Sequence, residues 1–478
     1  MKATFNVLNR GWIPVVDPEG AHRLLGIRET LAQAHLLREI SAASPPEEYS
    51  LYRFLGVFLM DALRPKKKSS IERLLDAGSF DMAQIDAYIG QCRAEGVSFD
   101  LFDEERPFLQ CPKEDCADDA EKAVSVLDCT LPSGNNHTHF SHVRPSGIPA
   151  DAAIRKMLVT YWFCTAQAQG YPSGVYGAPP YFGVIGADNL FEMLVNLLIP
   201  MDSIGLRFDD PPVLWRRKTP VLPKGTVGET SWLQGMLFPP RRIRLIPASD
   251  ETVRSVIFSQ GENYLNKEAW RDPYATYRSN ENSVFPLRPH ADAPIWRNIC
   301  DLIDIPGEHA SQMLRLYREL HPDVPEIRYT LYGVETSQAS YLSEQRRDLV
   351  LPLGLCSEAQ IVLLRRCVYA ANQLSSALRK ALVSVSGIPE SVSLAAGQAF
   401  EKYCEHSFLR LCGMAVEAKE EMPSLYAGYL SGICDAVTAV HSGALSELHL
   451  RGHVLAQTQS NRKMIFAEIY KLKKEANV

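Results

Sequence analysis

The chain has 478 residues, of which 46% are hydrophobic and 22% are charged, and its formal net charge at pH 7 is −6. This composition is ordinary for a folded protein of two or three domains and excludes disordered and fibrous classes. The negative charge argues against a protein that coats nucleic acid through bulk electrostatics. Any contact with nucleic acid is therefore expected to be local.

The cysteines and the apolar runs indicate where the protein works. The 11 cysteines are an odd number without the spacing of a disulfide framework, which suits a reducing cytoplasm. The N-terminal residues MKATFNVLNRGW contain no long apolar region of the kind that signal peptides have. The longest apolar runs, such as residues 190–201, are too short to span a bilayer. We expect a cytoplasmic protein without a membrane partner.

The first part of the chain predicts short strands and helices in alternation. Residues 5–16 predict a strand, a glycine turn and a second strand, and helices are predicted over residues 27–37, 47–63, 149–169 and 188–198. Residues 79–121 carry twelve Asp and Glu against three Lys and Arg and would repel a phosphate backbone. Residues 169–180 are too rich in Gly and Pro for regular structure.

Residues 328–350 show the alternation of a β-hairpin. Residues 329–334 and 339–342 predict two strands, joined by a polar corner over residues 335–338. The corner lacks the Asn-Gly or Asp-Gly of the tightest turns, and it places the uncharged Gln338 at the tip. The residues alone allow an ordinary surface hairpin or a tip with a function.

The last part of the chain predicts helices. Four helical stretches cover residues 357–386, 391–413, 424–442 and 444–474, and the first has an apolar stripe at three- and four-residue steps: Ile361, Leu364, Val368, Ala371 and Leu374. Short loops between four such helices favour a bundle. The predicted fold class is α+β, with a large mixed α/β N-terminal domain (residues 1–355) and an all-α C-terminal four-helix bundle (residues 356–478).

Residues 207–244 are basic, with eight Lys and Arg against three Asp and Glu, and they include Trp215 and Trp232. Basic residues interleaved with aromatic ones are typical of a nucleic-acid face. The same pattern is produced by long cationic side chains that cover a core tryptophan. The sequence leaves both explanations open.

Common catalytic motifs are absent: the chain has no phosphate-binding P-loop, GxGxxG, HExxH or GxSxG sequence. The best metal candidate is His137, His139 and His142, with three cysteines upstream, Cys111, Cys116 and Cys129. The spacing matches no closed zinc site, and a nucleophilic pair of Cys129 and His142 has no third group to orient it. The sequence therefore favours a binding protein without a cofactor over an enzyme. A metal-dependent nuclease built on the three histidines and a purely structural scaffold are the alternatives.

Seven stretches, taken in order, resemble one family, the large subunit (CasA) of the type I-E CRISPR surveillance complex Cascade. They are GWIPV (11–15), FDLFDEERPFLQ (99–110), LPSGNN (131–136), DNLFE (188–192), PPRRIRL (239–245), WRDPY (270–274), and QAS (338–340) with RRD (346–348). The resemblance implies a non-catalytic subunit that recognises the duplex flanking the target, the PAM, and opens the target DNA.

The resemblance implies three devices that bind the PAM duplex from the minor groove. The first is a glycine-rich loop, here residues 170–177, which Tyr171, Pro172 and Ser173 interrupt; its candidate residues are Gly170, Tyr171, Ser173, Gly174 and Gly177. The second is a lysine, for which Lys267 is the nearest match. The third is a glutamine wedge, Gln338, flanked by Ser337 and Ala339.

Further partners are implied in the same way. Residues Ser133, Gly134, Asn135 and Asn136 would anchor the subunit near the 5′ region of the guide RNA (crRNA) and the neighbouring backbone and 5′-handle subunits. The bundle would contact the small subunits and help hold the displaced strand. A separate helicase–nuclease would be recruited to cut the DNA. The paired cysteines of the zinc site in some family members have no counterpart here, so no metal is predicted.

Overall fold

The structure is a computed structural model. It describes residues 2–128, 147–164, 171, 174–219, 221–266, 269–279, 283–290, 294–305, 308–337, 340–355, 357–385, 387–417, 422–446, 448 and 452–476.

In these residues the α-helices are α1 (Ile27–Gln33), α2 (Pro45–Leu63), α3 (Lys68–Ala77), α4 (Met82–Ala94), α5 (Ala150–Phe163), α6 (Leu190–Val195), α7 (Trp232–Met236), α8 (Ile299–Leu302), α9 (Gln312–Leu320), α10 (Glu358–Val383), α11 (Glu390–Glu417), α12 (Met422–Ser446) and α13 (His453–Ala476). The strands are β1 (Ile13–Val16), β2 (His22–Leu25), β3 (Glu39–Ile40), β4 (Glu121–Ala123), β5 (Ile148–Pro149), β6 (Phe182–Ile185), β7 (Thr226–Val227), β8 (Arg241–Ser249), β9 (Thr252–Gln260), β10 (Asn263–Tyr264), β11 (Tyr277–Ser279), β12 (Val284–Pro286), β13 (Ile327–Ser337) and β14 (Ser340–Leu351).

The chain divides into two units. Unit 1 consists of Met1–Ala291, Ala310–Pro322 and Arg328–Val350, and it combines helices with small sheets. Unit 2 consists of Asp292–His309, Asp323–Ile327 and Leu351–Val478, and its described part is dominated by the packed helices α10 to α13. The predicted fold class, a mixed N-terminal part followed by a helical bundle, is confirmed. The predicted boundary between residues 355 and 356 stays a prediction.

The bundle helices lie close to their predicted positions. Ser357 begins α10 as an N-cap, because its hydroxyl accepts the N–H of Gln360 at 3.3 Å while the Gln360 side chain accepts the N–H of Ser357 at 3.1 Å. The break predicted at Gly443 is wrong, since α12 continues through this residue to Ser446. A glycine inside a helix costs only about 1 kcal/mol relative to alanine, so it does not force a helix to end.

Helix α2 is the central element of unit 1. Ser44 caps its first turn by accepting the N–H of Glu47 at 3.4 Å, and the two prolines Pro45 and Pro46 occupy its first positions. It therefore begins two residues before the predicted start. All residues from Pro46 to Asp61 are buried, so the helix is covered on every side.

The predicted hairpin exists, and its strands are longer than predicted. β13 lies between β6 and β14 in a three-stranded sheet, in antiparallel register with β6 from Tyr329 opposite Ile185 to Tyr332 opposite Phe182. β13 and β14 are separated by two residues, which allows only antiparallel pairing. The sequence prediction ended at Leu342, because the rest of β14 is largely polar and lacks an apolar alternation.

Several other predicted elements need correction. The first strand of residues 5–16 is reduced to an isolated bridge of Asn6 with Asp100, because the Asn6 side chain accepts the N–H of Leu8 at 3.0 Å and closes a turn. Helix α6 starts at Leu190 because Asn189 caps it. Three predicted helices end early: α1 stops at Gln33 before a 3₁₀ turn, α5 stops at Phe163, and α6 stops at Val195. Helices α3, α4, α7, α8 and α9 were not predicted.

A glycine pair tests the packing of β6 against β13. A Cβ at Gly183 would lie 1.8 Å from the hydroxyl of Tyr329, whereas a Cβ at the exposed Gly90 of α4 would meet nothing within 4 Å. We expect Gly183→Ala to lower the free energy of unfolding by about 1–3 kcal/mol. The matched control Gly90→Ala should raise it by about 0.5–1 kcal/mol, because alanine is the better helix former. Urea unfolding of both variants measures this, and equal effects would contradict the packing described.

Candidate nucleic-acid interface

The predicted site residues fall partly within the described residues. Ser337, Tyr171, Gly174 and Gly177 are described. The others lie outside the described residues: Gln338, Ala339, Lys267, Gly170, Ser173, Ser133, Gly134, Asn135 and Asn136. The structure therefore shows how the chain on either side of the predicted glutamine, lysine and glycine-loop residues is held.

The base of the hairpin is fixed to α2 by one carboxylate. Glu48 accepts hydrogen bonds from the hydroxyl of Tyr332 on β13 at 2.5 Å and from Nη1 of Arg346 on β14 at 2.8 Å. On the same face of the sheet, Asp348 accepts hydrogen bonds from Arg346 Nε at 3.2 Å and from the Thr330 hydroxyl at 2.8 Å. These contacts form a chain of polar groups that crosses both strands and ends on the helix.

Close packing fixes the opposite face of the hairpin. A Cβ at Gly333 would lie 2.3 Å from Cγ of Pro289 and 2.9 Å from the ring of Tyr181, so glycine is required at this position. The Tyr181 hydroxyl donates a hydrogen bond to Oε1 of Gln345 on β14. Neighbouring residues on both strands therefore pack against the body of unit 1.

Strand β13 becomes more exposed toward its distal end. Gly333 and Val334 are buried, whereas Ser337 is exposed, and on β14 Leu342 is 56% exposed. Ser343 donates a hydrogen bond to Glu335 at 3.1 Å, which links the two strands between the buried base and the exposed end. Of the predicted wedge residues, Ser337 thus lies on the exposed part of the hairpin.

Tyr171, in the predicted glycine loop, packs against the protein. Its hydroxyl accepts a hydrogen bond from Lys122 Nζ at 3.0 Å, and its ring stacks on Phe258 with centroids 6.3 Å apart. The guanidinium of Arg241 lies 4.8 Å from the ring centroid. Tyr171 therefore anchors this part of the loop to β4, β8 and β9.

The other end of the same loop is anchored through Tyr176. Gly174 is buried, and Gly177 has a φ of +81°, a conformation that favours glycine. Between them, the Tyr176 hydroxyl donates a hydrogen bond to Asp272 and accepts one from Arg53 Nη2 at 3.0 Å. The loop is thus tied to a buried ion pair.

That ion pair joins Arg53 of α2 to Asp272, and both side chains are fully buried. Arg53 also donates hydrogen bonds to the Tyr49 hydroxyl at 3.0 Å and to the backbone oxygen of Met236 at 3.1 Å. Asp272 lies five residues after Lys267, and its carboxylate accepts the N–H of Tyr274 at 2.8 Å. The segment that follows the candidate lysine is therefore fixed to the same helix.

Buried charge shifts the pKa values of this network. Burial raises the pKa of Glu48, although the hydrogen bond from Tyr332 and the charge of Arg346 oppose the shift. For Arg53, burial alone would lower the pKa, but Asp272 and the neighbouring tyrosines hold it well above its ordinary value. Burial also raises the pKa of Tyr176 and Tyr332 well above the usual range. These tyrosines remain hydroxyl donors at physiological pH.

The structure decides between the two explanations for residues 207–244. Trp215 and Trp232 are buried, and Arg216 pairs with Asp61 at 3.0 Å and with Glu95 at 2.8 Å. The arginines of β8 are also buried, and Arg242 pairs with Asp119 at 2.8 Å. Most of these cations are therefore buried or paired with acidic groups, which supports a structural role over a nucleic-acid face.

The metal candidate lies mostly outside the described residues, because His137, His139, His142 and Cys129 are among those not described. Cys111 and Cys116 are described and buried. Within the described ranges, no group of three or more His, Cys, Asp or Glu side chains is arranged to hold a metal ion. In the same ranges, no helix is both long enough and apolar enough to cross a membrane.

Comparison with known proteins establishes the family. Residues 6–423 match the model of the family described as CRISPR-associated protein Cse1. The chain belongs to the Cse1 family. A protein named CRISPR-associated protein CasA/Cse1 from Thermus thermophilus is 29% identical to this chain over 401 residues, which cover 78% of this chain and 76% of that protein. The family resemblance in the sequence is thus confirmed.

Solved structures share the fold of this Cse1-family chain. Thermus thermophilus CasA (Cse1) superposes with a TM-score of 0.77 at 21% identity, covering 98% of this chain and 100% of that chain. Thermobifida fusca Cse1 gives a TM-score of 0.78 at 18% identity, covering 99% and 98%. A chain of a structure described as a CRISPR RNA-guided surveillance complex gives 0.70 at 17% identity, covering 97% and 100%.

Sequence reasoning missed the residues that support the site, namely Glu48, Arg53 and Asp272. Arg53 carried a signal, because it is a lone cation among apolar residues over Leu51 to Leu55 on a helix without a polar face. A charge in such a helix has to find a buried partner. The partner, Asp272, is 219 residues away, and nothing in the sequence connects the two.

The raised pKa of Glu48 predicts how stability depends on pH. Because its pKa is higher in the folded than in the unfolded chain, the folded chain binds the proton more readily between the two values. The contribution of Glu48 to the free energy of unfolding should therefore decrease as the pH rises through this window. We expect the stability difference between the wild type and Glu48→Gln to show this slope in urea unfolding at a series of pH values. A wild-type free energy of unfolding that rises relative to that of Glu48→Gln with rising pH would contradict the raised pKa.

Proposed function

We propose that this Cse1-family chain is the non-catalytic large subunit of a crRNA-guided type I-E Cascade complex, which recognises the PAM duplex and opens the target DNA to start R-loop formation. The observation that carries the proposal is the common support of the hairpin, the glycine loop and the segment after Lys267. Their contacts converge on residues Glu48 to Arg53 of α2. Three segments that bind one duplex need such a fixed relative position.

The residue types suit recognition of the minor groove. This groove presents a degenerate pattern of acceptors apart from the guanine amino group, so a reader there is permissive. Lys267 would supply a cation, and the backbone of residues 170–177 would approach closely at its glycines. Gln338 can fill space between bases and hydrogen-bond to them without holding a phosphate. The first target base pair would then open at a cost of a few kcal/mol.

The remaining partners are part of the same proposal. One structural neighbour is described as an RNA-guided surveillance complex, and we propose that this chain joins such a complex through residues Ser133, Gly134, Asn135 and Asn136 near the crRNA 5′ region. Helices α10 to α13 would contact the small subunits. Cleavage of the opened DNA would belong to a separate helicase–nuclease that the complex recruits.

The subunit's contribution can be measured directly. We expect target-duplex binding by the crRNA complex, at fixed salt, to strengthen when this chain is added if the PAM is matched, and to change little if the PAM is scrambled. The salt concentration must be constant because contacts to phosphates depend on it strongly. Equal strengthening on both duplexes would indicate a scaffold with a general electrostatic contact and would contradict PAM recognition.

The wedge has its own test. We expect Gln338→Ala to slow the opening of a linear target duplex by about tenfold or more, because the first base pair costs a few kcal/mol to separate. Binding of a single-stranded target should change little, since it has no base pair to open. Gln84→Ala, at an exposed glutamine of α4, is the matched control. Equal loss on both substrates would reject Gln338 as the wedge.

A further inference from the structure

A wedge works only if its base cannot move. The tip of the hairpin has to press on the first target base pair while the glycine loop and the lysine segment hold the flanking duplex. If the base could rock relative to these two segments, the tip would retreat and the base pair would stay closed. In the proposed function, a contact that holds the base of the hairpin against α2 would therefore support duplex opening.

We propose that Glu48 is the positioning residue that fixes the hairpin to α2 and thereby couples the grip on the PAM duplex to the opening of the target. This inference rests on the proposed function. One carboxylate contacts both strands, through the Tyr332 hydroxyl at 2.5 Å and Arg346 Nη1 at 2.8 Å. Five residues further along the same helix, Arg53 holds Tyr176 and Asp272. Five residues span about 7.5 Å of helix, so both supports lie on one short rigid piece.

Burial disfavours the charge of Glu48. Its residue is 5% exposed, and burial raises the pKa of the carboxyl, so ionisation works against the stability of the folded chain. Neutralising Glu48 would not leave a buried, unpaired cation, because the side chain of Arg346 is 38% exposed and keeps its hydrogen bond to Asp348 at 3.2 Å. What the carboxylate adds is a charge-assisted hydrogen bond from the guanidinium of Arg346, which is stronger than the one that a glutamine amide oxygen would accept. This indicates that Glu48 serves to position the hairpin more than to stabilise the fold.

The chain offers a matched control for this residue. Glu47 is adjacent on α2 and is also buried, at 7% exposed, but it faces Arg155 at 3.5 Å and Lys156 at 3.8 Å on α5 instead of the hairpin. Glu48→Gln and Glu47→Gln therefore remove the same charge from neighbouring sites. Each variant would be assembled into the crRNA complex and tested on two targets with one PAM, a linear duplex and a duplex whose first target base pairs are mismatched and already open.

We expect Glu48→Gln to slow the opening of the linear duplex by about tenfold, the effect of one charge-assisted hydrogen bond. Glu48→Gln should bind the pre-opened target at the wild-type level. Glu47→Gln should change neither the opening of the linear duplex nor the binding of the pre-opened one. Arg346→Gln should reproduce the loss, and the double variant of Glu48 and Arg346 should be no worse than either single one, because both remove the same contact. The thermal midpoint of Glu48→Gln should equal or exceed that of the wild type.

The pH dependence of duplex opening distinguishes a positioning role of Glu48 from a purely structural one. The groups that face Glu48 are Tyr332 from β13, Arg346 from β14, Glu39 from β3, and Tyr52 and the Ala42 backbone nearby. Duplex opening by the wild type should slow as the pH falls through the raised pKa of Glu48, because protonation ends the ion pair. Glu48→Gln should lack this dependence, whereas Glu39→Gln should keep it.

Failure of this inference differs from failure of the proposed function. If Gln338→Ala slows duplex opening and Glu48→Gln does not, the wedge stands and the role of Glu48 is overturned. If Glu48→Gln lowers the thermal midpoint and weakens binding to both targets equally, the role of Glu48 is structural and the inference is also overturned. If Gln338→Ala and Glu48→Gln each affect the linear and the pre-opened duplex equally, the proposed function itself is wrong.

Discussion

The buried pair of Arg53 and Asp272 imposes the main constraint on unit 1. A guanidinium in a water-free site must have its donors satisfied, and the hydroxyls of Tyr49 and Tyr176 and the backbone oxygen of Met236 do this together with the carboxylate. Tyr49 belongs to α2 itself, whereas Tyr176, Met236 and Asp272 come from three separate stretches of the chain. Because these three have to reach one side chain on α2, the pair fixes where each stretch lies. Breaking such a pair by removing one partner typically costs about 3–5 kcal/mol, so alternative arrangements are strongly disfavoured.

The pairing of the basic residues 207–244 affects how strongly the chain could bind DNA of any sequence. In the described residues, the arginines of 207–244 largely pair with acidic groups or pack in the core, as Arg216 and Arg242 show. Together with a net charge of −6, this leaves little general attraction to phosphates. If the chain is the PAM-reading subunit proposed above, it would spend little time on DNA that lacks a PAM, because non-specific affinity depends on such cations. The few contacts that remain would then decide where it binds.

The sequence predicted some features well and others not at all, for physical reasons. The helices α10 to α13 have apolar stripes over many turns, so periodicity located them to within a few residues except at Gly443. The hairpin was predicted, but most of β14 was not, since strand pairing rather than burial stabilises its polar residues. Glu48 could not be identified, because its partners Tyr332 and Arg346 lie almost 300 residues further along the chain. The resemblance to CasA supplied the candidate tip residues, whereas the supports became visible only in three dimensions.

The gradient of burial along β13 has a consequence for which substitutions the chain can tolerate. Residues at its base, such as Gly333 and Tyr332, are enclosed, and few other side chains fit there. Ser337 and Leu342 are exposed and contribute little to the stability of the fold. The fold should therefore tolerate substitutions at Ser337 and Leu342 better than at Gly333 and Tyr332. If the exposed end faces the flanking duplex, as proposed above, the residues that touch DNA can be exchanged at little cost to the fold, and the recognised sequence can change while the support of the hairpin is kept.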